Sequence, residues 1–216
     1  MYITYDDLIA EARKGARLAG LVTQHLFSGV PFVFQSSPAH YDILRRHLAS
    51  TLDVPEASIT VVGSGRLGYS LNPLHPGDPI RDTSDIDVII ADARLFDRIW
   101  EMLLRWRYPW RLAEWPPAEH DWVTGHLENL FAGYFLPDKL TLGGLKPRRA
   151  KGRRNRRLRH YRDAVLKVRN DWFAAFKTTS RYPELGGREF KGRLYRSWAF
   201  ATTYHMYGLQ RLALTA

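Results

Sequence analysis

Residues 84–91, SDIDVIIA, set two carboxylates one residue apart at the head of an otherwise apolar, β-branched run. In an extended chain, residues two apart face the same way and are offset by roughly 6.6 Å along the strand. Asp85 and Asp87 therefore share one face, while Ile86 and Val88 to Ile90 hold the strand in a core. Two like charges this close push at least one pKa upward unless a cation compensates them. A hard divalent ion with a taste for oxygen ligands, Mg²⁺ or Mn²⁺, is the natural partner. Ser84, directly before the pair, is placed to turn the chain or bond a neighbouring backbone group.

Upstream, Ile59–Val62 reads as a second short strand that runs into Gly63–Ser64, with Gly68 and Ser70 following. Glycines at such a turn let backbone N–H groups approach an anion, and a helix starting there aims its positive end at the same place. A phosphate-binding turn after one strand and an acid pair on the next describe a site for a metal–nucleoside triphosphate. The loop between them, NPLHPGDPIRDT, is long; Arg66 and Arg81 are the cations within reach of phosphates from there.

The rest of the chain supplies helices. Thr4 with Asp7 three residues on is a capping-box pattern that opens a helix over 4–27, and Ser37–Pro38 predicts an N-cap and first helical residue for a second helix. Helical spacing continues over 92–107 and 119–133, and residues 108–118 are broken up by prolines. One long helix is expected from Leu158 through Trp172 and Phe176, and a final helix over 190–213. Trp172, Phe173, Phe176, Tyr195 and Trp198 fall at core spacing, His205 reads as a packed residue, and Arg196 is within reach of a ligand near the sheet. The eight histidines show no ligand spacing. The class is α+β: a small mixed sheet flanked by N-terminal helices and followed by a C-terminal helical region.

Charge is concentrated in one place. The segment 146–159, KPRRAKGRRNRRLR, contains nine basic residues and no acid, against a net charge of +10 for the whole chain, so the remainder carries only +1. Lys146, Arg148, Arg149, Lys151, Arg153, Arg154, Arg156 and Arg157 are the candidate nucleic-acid contacts, RNA more than DNA, since such a segment attracts a polyanion strongly. The acidic surface of a partner protein is the competing ligand. The absence of cysteine excludes thiolate catalysis and cysteine-ligated metals. With no stretch of membrane-spanning length and no signal-like start, the chain is expected to be soluble and cytoplasmic, with no membrane partner. Two parts are expected: residues 1–145 as a core with N-terminal helices, and 146–216 as the basic segment with C-terminal helices packed on it.

The pattern Gly63–Ser64, Gly68, Ser70 and Ser84–Asp85–Ile86–Asp87–Val88 resembles the signature of the DNA polymerase beta-like nucleotidyltransferase superfamily, over about 30 of the 216 residues. The resemblance implies transfer of an NMP from an NTP to a hydroxyl. Ser64 would contact the triphosphate, and Asp85 and Asp87 would hold metal. Members of that superfamily usually carry a third carboxylate on a later strand. Glu114 and Asp138 are the candidates, with Asp138, ahead of the alternating Leu140–Thr141–Leu142 run, preferred. Without a third acid the chain would be either an enzyme that works with two acids or a catalytically degenerate nucleic-acid-binding subunit or adaptor. Small members of the superfamily occur in bacterial toxin–antitoxin and phage-defence modules, a setting the resemblance extends to this chain.

Overall fold

The computed structural model describes residues 2–15, 17–111, 125–137, 153–185 and 187–215. Its centre is a four-stranded mixed sheet, built from β1 (Ile59–Val62), β2 (Ile86–Ala91), β3 (Tyr134–Phe135) and β4 (Phe190–Tyr195) in the order β1-β2-β4-β3. β1 runs antiparallel to β2, β2 parallel to β4, and β3 antiparallel to β4. The α+β class and the flanking helices are as expected.

The helices begin where local chemistry predicts. α1 (Tyr5–Lys14) is capped by Thr4, whose hydroxyl accepts from the Asp7 N–H and donates to the Asp7 carboxylate. It stops at Gly15, whose φ of 70° supplies a left-handed terminus. The expected single helix over 4–27 is therefore split: α2 (Leu18–Leu21) and a π-helical stretch, Val22–Phe27, follow the break. α3 (Pro38–Leu52) starts with proline at its first turn. α4 is the short turn Gly63–Leu67. α5 (Ala93–Arg111) is capped by Asp92, whose carboxylate accepts from the Leu95 N–H at 2.7 Å. α6 covers residues 125–131, and the long expected helix is α7 (Arg153–Thr179).

The largest departure lies at the C-terminus. The expected helix over 190–213 is a strand, β4, followed by α8 (Trp198–Thr215). β4 lies between β2 and β3, so the C-terminal segment supplies an inner strand of the sheet and does not merely pack on it.

One sheet face is closed. Ile86, Val88, Ile90 and Leu194 pack with Leu44 and Leu48 of α3, Phe96, Ile99 and Leu103 of α5, and Trp172 and Phe176 of α7. Each fully buried side chain of this kind contributes roughly 1.5–3 kcal/mol. Gly192 belongs to this face: a Cβ there would come within 2.3 Å of the Phe176 ring and 2.5 Å of Trp172. On the opposite face Val62, Ile89, Ala91 and Tyr195 pack with Ala201 of α8. Among the described residues, this packing leaves an open end beside Asp87.

Candidate active site

The open end forms a cleft of about 240 Å³ lined by Gly63, Asp87, Lys191, Arg193, Tyr195 and His205, among others. Period-two alternation builds it. Asp85 and Asp87 face the same way as Ile89 and Ala91 of β2. The parallel register sets Lys191 beside Asp87, Arg193 beside Ile89 and Tyr195 beside Ala91. An acidic strand and a basic strand thus lie side by side.

The Lys191 ammonium pairs with Asp85 Oδ2 at 2.6 Å. That hydrogen bond holds the Lys191 pKa above its ordinary value. Among the described residues, Asp87 has no such close partner. Burial, and then the neighbouring Asp85, push its carboxyl above the usual carboxylate range, with Arg193 and Lys191 pulling the other way. The Arg193 guanidinium lies over the Tyr204 ring at 4.7 Å and the Tyr134 ring at 5.5 Å, and its Nη1 donates to the Tyr195 hydroxyl at 3.4 Å. Burial keeps Tyr195 protonated far beyond the ordinary phenol range. At the inner end, burial and then Arg193 lower the His205 pKa to about 4, so its imidazole is neutral at physiological pH.

The Gly63–Ser64 turn joins this group. Val62 pairs with Asp87, and Gly63 follows with φ of 64°. A Cβ on Gly63 would sit 3.2 Å from Asp87 Oδ2. Glycine is therefore required twice over, for its backbone conformation and for the space in front of the carboxylate. Ser64 is half-buried in the first turn of α4.

Other candidates are placed elsewhere. Arg66 is buried and donates from Nε and Nη1 to the carbonyls of His25 and Gly29, at 2.8 Å each. It stitches the π-helical segment to α4 and does not reach toward phosphate. Gly68 ends α4 in a left-handed conformation against the Phe32 ring. Ser70 belongs to the loop that follows: its hydroxyl accepts from the Asn72 N–H, and its backbone bonds Gly77 and Asp78. Ser84 closes a turn with Arg81, as expected. Arg81 is exposed, 3.6 Å from Asp78. Arg196 is committed to Asp97 at 3.0 Å and not to the cleft. Trp172, Phe176 and Tyr195 are core residues, while Phe173 is partly exposed. Glu114, Asp138, Lys146, Arg148, Arg149 and Lys151 lie outside the described residues. Arg153, Arg154, Arg156 and Arg157 occupy the first two turns of α7.

Among the described residues, no group of three or more His, Asp and Glu side chains is placed to hold a metal. The donor set is therefore two carboxylates, one of them partnered by Lys191. It fits a hard divalent ion in one respect: burial and Asp85 disfavour the ionised form of Asp87, which a cation would favour. Lys191, Arg193, Tyr195 and His205 were not expected in the site. The signal that could have found the first two is the alternation Phe190–Lys191–Gly192–Arg193–Leu194, a basic counterpart of the acidic alternation at 85–88.

No family model matches the chain, and no curated protein and no solved structure is significantly similar to it. Among the described residues, no helix is long and apolar enough to cross a membrane.

Proposed function

We propose that the cleft binds a nucleoside triphosphate with Mg²⁺ or Mn²⁺, and that the chain is a metal-dependent nucleotidyltransferase acting on a hydroxyl of RNA. The observation that carries this reading is the approach of the Gly63–Ser64 turn to Asp87 in the cleft that Asp85 borders. Asp85 and Asp87 would hold the metal, which when bound supplies neutralisation of the triphosphate charge. The chain's own residues do the rest. Gly63 keeps the space before Asp87 free for ligand. With Asp85 engaged by an ion, Lys191 would be free to contact phosphate. In the transfer, the acceptor oxygen bonds to the α-phosphorus, the bond to the pyrophosphate oxygen breaks, and the acceptor proton is released to solvent. The nine basic residues of 146–159 support a polyanionic acceptor, and a bacterial toxin–antitoxin or defence module is a setting consistent with both parts.

One observation favours a second reading. The strand flanking the acid pair carries Lys191 and Arg193, and Lys191 already neutralises Asp85. A cleft so compensated suits a catalytically degenerate module that binds nucleotide or nucleic acid as a subunit or adaptor. Incubating the protein with each α-labelled NTP, Mg²⁺ or Mn²⁺ and total RNA separates the two. Label transferred to RNA by the wild type and not by Asp85→Asn/Asp87→Asn supports the enzyme; nucleotide binding without transfer by either supports the adaptor.

A further inference from the structure

Phosphate recognition needs donors, and the arginines that stand nearest the turn in sequence are used elsewhere: Arg66 on backbone carbonyls and Arg81 beside Asp78. The positive charge that faces the cleft comes from β4. Lys191 is paired with Asp85, but Arg193 forms an ion pair with no described residue; its contacts are the Tyr134 and Tyr204 rings and the hydroxyls of Tyr195 and Tyr204, with Asp87 near enough to feel its charge. A guanidinium has five N–H donors, and a half-buried one with most of them unmatched carries a desolvation cost that an anion would offset. The flanking Tyr134 and Tyr204 rings restrict its plane, which favours forked, bidentate recognition over loose pairing. Tyr195, wholly buried, accepts from Arg193 and so holds the guanidinium in place. His205, neutral at the inner end, adds no competing charge.

We propose that Arg193, with Tyr195 beside it and Lys191 as a second contact, is a phosphate receptor that holds a phosphoryl group of the bound nucleotide without requiring a divalent ion. This rests on reading the cleft as a nucleotide site. It adds that the triphosphate is anchored by the basic strand, while the acid pair opposes an unneutralised ligand. Removal of the acids should accordingly strengthen metal-free binding and not weaken it.

Calorimetric titration of inorganic pyrophosphate and of ATP in EDTA tests this directly. The wild type is expected to bind both. Arg193→Gln should weaken both at least tenfold. Arg193→Lys, which keeps the charge and loses the fork, should weaken them several-fold, and Lys191→Gln, a change at an exposed side chain, about two- to fivefold. Asp85→Asn/Asp87→Asn should bind pyrophosphate in EDTA as tightly as the wild type or more so. Thermal melts of each variant identify any loss that comes from unfolding, and Arg193→Lys and Lys191→Gln then decide in place of Arg193→Gln. Absence of pyrophosphate binding in EDTA overturns the proposal, as does equal binding by wild type and folded Arg193→Gln. The two readings fail separately. If label transfer is absent while binding depends on Arg193, the transferase falls and the receptor stands. If Arg193→Gln transfers label with an unchanged KM for NTP, the receptor falls and the transferase stands.

Discussion

The two faces of the β2–β4 pair are made from adjacent residues of the same strands and obey opposite rules. On the closed face Ile86, Val88, Gly192 and Leu194 meet three helices with no space to spare; even a methyl group on Gly192 would collide with Phe176 and Trp172. On the open face Asp87, Lys191 and Arg193 line a cleft, and Asp85 beside it is paired with Lys191, so acid and base compensate each other across one strand spacing. Shape governs the first face and charge the second. A strand can carry charged side chains at the centre of a sheet when its neighbour carries the opposite sign on the same face and the other face is packed well enough to hold both strands.

The most severe way to break this contrast is to move an acid to the wrong face. Val88→Asp places a carboxylate in the closed core with no cation opposite, and is expected to cost more than about 4 kcal/mol and to leave the chain unfolded in equilibrium urea denaturation. A folded Val88→Asp protein with near wild-type stability would show that the closed face is not a tight core. Gly192→Ala comes next, with a loss of about 3 kcal/mol from overpacking against two buried rings, read from the same denaturation midpoint.

The open face is probed by pH. With its pKa lowered to about 4 in the fold, His205 stays neutral over a range where the unfolded chain takes up a proton. Stability should therefore fall as pH drops from about 6.5 to about 4, by up to about 3 kcal/mol. His205→Gln should flatten that limb of the pH–stability curve, and an unchanged limb would assign it to other groups. The smallest effect expected is a gain. Because the Asp87 carboxyl is held above its ordinary range, its ionised form opposes folding at neutral pH. Asp87→Asn should raise the melting temperature at pH 7, and the gain should shrink as pH falls through the native pKa of that group and vanish only below its ordinary value, about 3.9. Added Mg²⁺ should produce a rise in the wild type that the Asp87→Asn variant lacks.

What was legible in the sequence follows the range of the physics involved. The acid pair, the Gly63–Ser64 turn, the Thr4–Asp7 cap, Pro38 and the long α7 all declare themselves within a few residues, through period, capping or backbone conformation. β4 did not, because Leu194, Trp198, His205, Leu209 and Leu212 continue a helical spacing across the strand–helix junction and absorb Phe190–Tyr195 into it. Nothing local marks its two cations either; only the parallel register sets Lys191 beside Asp87 and puts Arg193 on the same face. Arg66 is a related case. Expected as a cation within reach of phosphates, it donates to carbonyls 41 and 37 residues earlier in the chain, and nothing local announces them.

That same arginine makes the first thirty residues more than a leading segment. A variant shortened past Gly29 would keep every strand and every cleft residue, but would strip Leu8, Val22 and Leu26 from the cluster they form with Leu67 and leave the buried Arg66 guanidinium with both of its carbonyl partners gone. The turn that carries Ser64 would have to swing outward to hydrate it. Shortened forms of this chain, whether made by an alternative start or by a protease, should therefore lose ligand binding before they lose their sheet: the amino-terminal end acts as a removable pin for a site some forty residues away.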